Sequence, residues 1–305
     1  MIESKIVFIL GAGASYSYGF PIGSKLVDEI VQFTSNGPGI SFLKNFNIGE
    51  NKILEFSKLL RDSNTPSIDL FIANQTELNS NIAKFSIAKI IGDSNPVKPR
   101  PINQNDDWYR LIFNQMIDRF ENIGSNNISF ITFNYDTSLE NFIYSSLRAL
   151  YSKEDVLQLN KMISQINFIH VYGSIDDCPW NKNDYTIPVL NSHSTFEDIL
   201  NLSRRIKTIH EGSFDNNSIL KAKVLIRNAS KIYITGFGYS RSNISILGLD
   251  DSSVVIDQKK IIGNSFGLGK AEITDICNLL NYSSALVKEN NLNNTQFIKE
   301  YVNFI

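Results

Sequence analysis

The first strand and the loop after it constrain this chain more than any other segment. Ile6 to Leu10 are five apolar residues, mostly β-formers, and they run directly into Gly11-Ala12-Gly13-Ala14-Ser15. A strand that is apolar on both faces is typical of a parallel sheet covered by helices. A Gly-x-Gly turn at its carboxyl end lets backbone amides approach a phosphate. We therefore predict an α/β chain that begins with a nucleotide-binding loop.

The loop differs from the one used by dinucleotide-dependent dehydrogenases. Their Gly-x-Gly-x-x-Gly pattern opens directly into a helix, whereas Tyr16 stands at the third glycine position here. Gly19-Phe20-Pro21 follows, and a helical pattern begins only near Ser24, which we predict as the helix N-cap. The intervening aromatic residues, together with Ser15, favour a ligand-binding lip over a tight turn that binds nothing.

Composition excludes several classes of function. A net charge of −2 gives no electrostatic footprint for nucleic acid or an anionic membrane. Two cysteines and three histidines, without a Cys-x-x-Cys or His-Glu-x-x-His motif, give little support for a metal site. We find no signal peptide and no apolar run of ~18 residues. We therefore expect a cytoplasmic chain without direct nucleic-acid or membrane contact.

The rest of the chain alternates strand and helix patterns. The block 50–122 reads as helical, including one long amphipathic helix from Trp108 to Phe120, and we interpret residues 40–124 as a helical insertion in a single domain spanning 1–305. Strand–helix alternation predicts a Rossmann-like doubly wound parallel sheet with right-handed crossovers. Its further strands are predicted at Ile128–Phe133, Asn167–Val171, Lys231–Thr235 and Ser253–Asp257, with helices after residue 138 and near 195–210 and 215–229.

Each of four predicted strands ends in glycine or polar residues. Because the carboxyl ends of parallel strands share one edge, these motifs could meet in one crevice. Each motif also has an ordinary structural interpretation: a turn or cap for Asn134, a buried core residue for His170, and a plain turn for the late glycines. Besides the first loop, the motifs are Asn134-Tyr135-Asp136, His170 with Gly173-Ser174, and Gly236-Phe237-Gly238 with Ser240.

These motifs resemble the NAD-site motifs of sirtuins, in the same order and with similar spacing. The sirtuin versions are Gly-Ala-Gly-x-Ser followed by Ser-Gly-Ile-Pro, then Thr-Gln-Asn-Ile-Asp, then His-Gly. The resemblance spans roughly residues 5–250 and is closest to the bacterial sirtuin-like NAD hydrolases of antiphage defence. Similar elements of that group are matched here by Ser67-Ile68-Asp69-Leu70-Phe71 and Gly236-Phe237-Gly238.

Two departures from protein-deacylating sirtuins shift the expected chemistry. The chain lacks the four cysteines of their zinc module, and its histidine motif reads His170-Val171-Tyr172-Gly173 instead of His-Gly. The resemblance therefore implies an NAD+ glycohydrolase, with NAD+ as substrate and no metal, that releases nicotinamide and ADP-ribose in abortive infection. A zinc-less deacylase or transferase and a nucleotide-sensing subunit without catalysis are the alternatives.

The resemblance also implies roles for individual residues. Asn134 would bond the ribose hydroxyls or position a water, Asp136 would lie near the nicotinamide amide, and His170 would accept a proton. For Asp69 we favour an exposed first-turn carboxylate and for Ser67 a helix cap. The remaining expected NAD+ contacts are Gly11, Ala12, Gly13, Ala14, Ser15, Phe20, Pro21, Gly173, Ser174, Gly236, Phe237, Gly238 and Ser240.

An unregulated NAD hydrolase would deplete its own cell, so we expect the activity to be held in check. One route is a homo-oligomer formed through the helical insertion, and another is a partner such as an ATPase or other defence-system protein. The apolar residues of the insertion, among them Trp108, Phe113 and Phe120, motivate both routes. The same residues could equally serve to cover the sheet.

Overall fold

A five-stranded, all-parallel sheet forms the centre of the molecule. The computed structural model describes residues 1–94, 99–181, 196–207, 216–251, 260–281, 285–286 and 291–305. The strands are β1 (Ile6–Leu10), β2 (Ile128–Thr132), β3 (Asn167–His170), β4 (Lys231–Thr235) and β5 (Lys260–Gly263). Their order across the sheet is β3-β2-β1-β4-β5. Strands β2 and β3 are added on one side of β1 and strands β4 and β5 on the other, so the strand order switches between β1 and β4.

The strand register brings the carboxyl ends of β1, β2, β3 and β4 level. Leu10 pairs with Thr132 on one side and with Thr235 on the other, and Thr132 pairs with His170. Every residue of β1 and β2 is buried, as the apolar runs predicted. The residues that follow these strands therefore start from one edge of the sheet.

Helices flank the sheet, which confirms the predicted Rossmann-like doubly wound α/β class. Buried apolar side chains of the strands and of the helices belong to one contiguous cluster. The helices are α1 (Ala12–Ser15), α2 (Gly23–Ser35), α3 (Gly37–Lys44), α4 (Glu50–Asp62), α5 (Ile68–Ile72), α6 (Glu77–Ser94), α7 (Trp108–Met116), α8 (Ser138–Leu150), α9 (Val156–Ile163), α10 (Phe196–Ser203), α11 (Asn216–Asn228), α12 (Arg241–Leu247), α13 (Lys270–Leu279) and α14 (Asn294–Tyr301).

The described residues between β1 and β2 form helices joined by loops, with no strand among them, as predicted, but the long helix at the end of this segment is shorter than predicted. Helix α7 ends at Met116, and Ile117 is extended at φ −68° and ψ 134°. The amide of Asn126 donates to the Met116 carbonyl at 2.9 Å, which satisfies a helix-end acceptor from outside the helix. A separate 3₁₀ turn follows at Phe120–Ser125. The single domain with an insertion at 40–124 stays a prediction.

Several predicted boundaries move by one or two residues. The helix expected to start after Ser24 begins at Gly23, so its N-cap is Ile22, which offers no side-chain acceptor. Strands β2 and β3 end one residue earlier than predicted. The predicted strand Ser253–Asp257 lies outside the described residues, and the described fifth strand is β5. In the described part of the chain, no helix has the length and apolarity needed to span a membrane.

Candidate active site

The loops after β1 and β4 pack backbone against backbone at the switch in strand order between these two strands. The Gly13 amide donates to the Gly236 carbonyl at 2.9 Å, and the Gly11 amide donates to the Thr235 carbonyl at 3.2 Å. A Cβ on Gly11 would lie 2.5 Å from the Gly236 oxygen, and one on Gly236 would lie 1.9 Å from the Ala14 nitrogen. Close packing of two loops therefore explains these glycines without any ligand.

Of the Ala12, Gly13 and Ala14 amides expected to bind a diphosphate, those of Gly13 and Ala14 already have partners inside the chain. Besides the Gly13 amide, the Ala14 amide donates to the Gly11 carbonyl at 2.8 Å. The carbonyls of the loop are also bonded, because Asn294 donates to Gly13 at 2.9 Å and the Trp108 indole donates to Ala14 at 2.8 Å. A diphosphate could use the Gly13 and Ala14 amides only in exchange for these internal hydrogen bonds.

The predicted lip between the loop and α2 is a compact helical segment. Helix α1 continues into a 3₁₀ turn at Tyr16–Tyr18, and Gly19 ends that turn at φ 97°. Phe20 and Pro21 are buried, whereas Tyr16 is exposed. Of these residues, Tyr16 is thus the one that presents an aromatic surface to solvent.

Asn134 is held at three points but keeps one atom without a partner. Its backbone amide donates to Thr132 Oγ1 at 3.0 Å, and its Nδ2 donates to Ser15 Oγ at 2.9 Å. Its carbonyl oxygen accepts from His170 Nδ1 at 2.8 Å. The residue is 8% exposed, and no described residue bonds its Oδ1. An unpaired buried acceptor costs about 1–3 kcal/mol, so it points to a group that binds there.

Asp136 is a buried carboxyl within the same loop. Ser138 donates to its Oδ1 from the backbone amide at 3.1 Å and from the hydroxyl, and the Ser138 hydroxyl also shares a 2.6 Å hydrogen bond with Tyr109. Burial raises the pKa of Asp136, although hydrogen bonds from Ser138 and Ser15 offset part of that effect. Asp136 is therefore a stronger base than an exposed aspartate.

His170 bridges the loop after β2 and the first turn of α8. Its Nδ1 contacts the Asn134 carbonyl, and its Nε2 lies 2.6 Å from Glu140 Oε1. Both ring nitrogens thus have partners, so in this arrangement the ring offers no lone pair to a substrate. The role of proton acceptor stays a prediction, and it requires His170 to give up one of these contacts.

A small cavity lies at the centre of these residues. It has about 10 Å³ open to the centre of a water molecule, which is about the space that one water needs. Asn141 Oδ1 and Thr295 Oγ1 are also buried without a described partner, but of these three residues Asn134 alone lines the cavity. The polar residues that line it are Ser15, Thr132, Asn134, Asp136 and Glu140, with Trp108 and Tyr109.

A larger and more open pocket, about 270 Å³, lies at the opposite edge of the sheet. Its lining includes Lys5, Asn126, Asn127 and Gln165, near the amino ends of β1 and β2. None of the predicted site residues lines it. Ligands of open parallel sheets bind outside the carboxyl ends of the strands, so we assign the site to the smaller cavity.

The other predicted contacts divide between packing and turn roles. Phe237 is buried against Phe133, with ring centroids 5.2 Å apart. Gly173 adopts φ 74° and packs against the Arg205 carbonyl, and Ser174 bonds the Asp176 carbonyl in its own turn. Ser240 caps α12 by accepting from the Asn243 amide. A Cβ on Gly238, in contrast, would meet nothing within 4 Å.

A second polar cluster connects α5 with the loop after β2. Tyr135 donates to Asp69 Oδ1, and burial raises the pKa of this carboxyl. The expectation of an exposed Asp69 is therefore wrong, because the side chain turns inward to a tyrosine that sequence spacing did not reveal. Ser67 does cap α5, accepting from the Leu70 amide at 3.2 Å.

Glu140, Tyr109 and Trp108 are site residues that the sequence reasoning missed. Glu140 follows Asp136 by four residues at the start of a helix, a spacing that could have placed both carboxyls on one side. Thr137-x-x-Glu140 also reads as a capping box, an ordinary local use for this glutamate. Trp108 and Tyr109 carry no such signal, since their bonds to Ala14 and Ser138 join distant segments.

Comparisons with known proteins add no family to this geometry. No protein-family model matches the chain, and no curated protein matches it significantly. Among the described residues, no group of three or more His, Cys, Asp or Glu side chains could hold a metal ion.

Proposed function

We propose that this protein is an NAD+ glycohydrolase that cleaves the nicotinamide–ribose bond to give nicotinamide and ADP-ribose. The unpartnered Oδ1 of buried Asn134, a residue that lines a cavity the size of one water together with Asp136, carries the proposal. Motifs resembling the sirtuin NAD site supply the substrate class. The same resemblance supports a place in antiphage defence, where depletion of NAD+ would abort infection.

The proposed reaction passes through an oxocarbenium-like ribose. The C–N bond breaks with its electrons going to nicotinamide, which leaves as a neutral molecule and needs no strong acid. Asn134 Oδ1 accepts a hydrogen bond from the attacking water, whose oxygen forms the new bond to the ribose carbon. Asp136 takes the released proton, since its raised pKa makes it a better base than an exposed aspartate.

The cavity holds the reacting water and not the dinucleotide. NAD+ would bind along the Gly11–Ser15 loop, with Gly238 and Ser240 on its adenosine side. Gly238 has open space around it, and exposed Tyr16 offers a surface for stacking. The diphosphate would have to replace the internal partners of the Gly13 and Ala14 amides, so we expect binding to rearrange this loop.

Incubation of the purified protein with NAD+, with nicotinamide and ADP-ribose measured, tests the proposal. Asn134→Ala should lower nicotinamide release by ~10²–10³, the usual loss for a removed positioning group. Asn51→Ala on the exposed face of α4 is the matched control and should keep the wild-type rate. Wild-type turnover in Asn134→Ala would remove this residue from the mechanism.

A nucleotide-sensing subunit is the second candidate. The occupied ring nitrogens of His170 favour it, because they leave the site without a free imidazole base. Measurable NAD+ binding without release of nicotinamide, at every protein concentration and with every candidate partner, would support the sensor and contradict the hydrolase.

A further inference from the structure

His170 lies between two hydrogen-bond acceptors that define its protonation. The Asn134 carbonyl can only accept, so Nδ1 carries a proton. Nε2 lies 2.6 Å from Glu140 Oε1, and with an ionised glutamate it carries a proton as well. The pair is buried, with 9% of the His170 side chain and 4% of the Glu140 side chain exposed.

We propose that Glu140 is a positioning residue of the site: through His170 it fixes the backbone carbonyl of Asn134 and thereby aims the Asn134 side-chain oxygen at the cavity. This inference rests on the proposed function for what Asn134 does there. It assigns His170 the task of holding the loop instead of taking a proton from the substrate.

Glu140 reaches Asn134 only through His170, and the contacts of Asn134 explain how it can still orient the Asn134 side-chain amide. The backbone is held on one side by Thr132 and on the other by His170, while Nδ2 is held by Ser15. With backbone and Nδ2 both fixed, Oδ1 has one direction. Loss of the Glu140 contact would release one of these three supports and let Asn134 rotate.

The charges around His170 favour the doubly protonated ring. Burial alone lowers its pKa, but the charge and hydrogen bond of Glu140, aided by Asp136, raise the pKa above its ordinary value. Cys178 and Tyr109 also face these carboxyls, and burial raises the pKa of both groups, so both are neutral at neutral pH.

The pH dependence separates a holding role from a proton-accepting role. A histidine that accepts a proton must be neutral to do so. The activity of the enzyme then falls as pH falls through the pKa of this histidine. A histidine that holds the Asn134 loop as an imidazolium works when charged. In that case the activity of the enzyme falls as pH rises through the pKa of His170, because the deprotonated Nε2 no longer donates to Glu140.

NMR of histidine and asparagine side-chain nitrogens in the whole chain tests the inference without substrate. In the wild-type protein, His170 should stay protonated on both nitrogens through neutral pH, and the Asn134 side-chain amide signal should shift when His170 titrates. Glu140→Gln keeps an acceptor but removes the charge, so it should lower the titration midpoint and move the Asn134 signal. Glu154→Gln on the surface should change neither.

Turnover gives the matching functional readout. Glu140→Gln should lower the kcat of nicotinamide release by about 10- to 100-fold, the usual loss for a misplaced group, with a much smaller change in KM. In Asn134→Ala, which lacks the amide to be aimed, the same substitution should cost little more.

The results that would overturn the inference are separate from those that would overturn the proposed function. A His170 ring that is neutral at pH 7, or an Asn134 signal that ignores its titration, contradicts the positioning role even in an active enzyme. Should the wild-type protein release no nicotinamide at any protein concentration or with any candidate partner, the hydrolase proposal fails. The coupled titration of the wild-type chain then still decides whether Glu140 and His170 position Asn134.

Discussion

Gly11, Gly13 and Gly236 illustrate how one residue type can serve two purposes. A Gly-x-Gly turn after a strand suggests a close approach to phosphate, and the residues here do make a close approach, but to each other. Gly236 combines φ 62° with contact to the Ala14 nitrogen, so it has both conformational and steric reasons to be glycine. Gly238, two residues later, has neither.

This contrast predicts unequal effects of alanine at the two late glycines. Gly236→Ala should lower the free energy of unfolding by at least about 1–3 kcal/mol, because it adds left-handed strain to a backbone clash. Gly238→Ala should change it by less than about 0.5 kcal/mol. Urea unfolding of both variants measures the difference, and equal losses would contradict the packing of the two loops.

The His170–Glu140 pair predicts how stability depends on pH. The pKa of His170 is raised in the folded protein above its unfolded value of about 6.5. Its contribution to stability is therefore fully present below the unfolded pKa and is lost as pH rises through the folded pKa. Urea unfolding of wild type and His170→Asn should show a difference that shrinks with increasing pH, and a difference that grows would be contrary to this prediction.

At the scale of elements, helices distant in the chain fasten the first loop. Helix α7 supplies Trp108, which bonds the Ala14 carbonyl, and α14 supplies Asn294, which bonds the Gly13 carbonyl and accepts from Thr235. Trp108 thus links the loop after β1 to α7, and Asn294 links that loop and β4 to α14. The amphipathic pattern predicted α7, but it did not predict the hydrogen bond from Trp108 to the Ala14 carbonyl.

Asn294→Ala tests this fastening. It leaves the Gly13 carbonyl and the Thr235 hydroxyl without their partner, which should lower the free energy of unfolding by about 1–3 kcal/mol. We also expect a higher KM for NAD+, because the loop proposed to bind it loses a support. Unfolding and steady-state assays measure both, with Asn51→Ala as control; an unchanged KM would detach α14 from the site.

The start of α8 shows where local rules stop. Thr137 and Glu140 have the spacing of a capping box, yet the Thr137 side chain makes no capping hydrogen bond, and Glu140 bonds His170. Local pairing gave way to a partner from β3, thirty residues later in the chain. The carboxylate of Glu140 is buried, and a hydrogen bond to it there is electrostatically stronger than one in water.

At the scale of the whole molecule, the sheet order determines which loops meet. The order β3-β2-β1-β4-β5 puts the loops after β2 and β4 on either side of the loop after β1. His170 at the end of β3 then reaches the loop after β2. This arrangement gathers Ser15, Asn134 and Asp136 around one cavity, and His170 contacts the Asn134 carbonyl from β3.

The expected control of the proposed activity would also be a property of the whole molecule. The helical segment between β1 and β2 carries large apolar side chains in exposed positions, among them Leu54, Leu59, Leu70 and Leu78. If the protein is regulated by self-association, specific activity should rise with protein concentration in step with oligomer mass measured by light scattering. Full activity in a monomer at every concentration would argue against such regulation.

The sequence by itself determined the class of the sheet, the ends of β1 to β4 to within one residue, and the residue types that stand there. Buried parallel strands and the turns after them are encoded by runs of neighbouring residues, so apolar patterning and glycine placement were sufficient. These patterns alone place Asn134, Asp136 and His170 at the edge of the sheet where the strands have their carboxyl ends.

Only the tertiary structure decided what each polar group bonds. Asn294 and Gly13 are 281 positions apart, and His170 and Asn134 are 36 apart, so no local pattern could pair them. Buried donors and acceptors must be satisfied wherever the folded chain brings a partner within reach. That requirement accounts for the partners of the Gly13 and Ala14 amides and for the contact of His170 with Glu140, whereas Asn134 Oδ1, in a residue that lines the cavity, has no described partner.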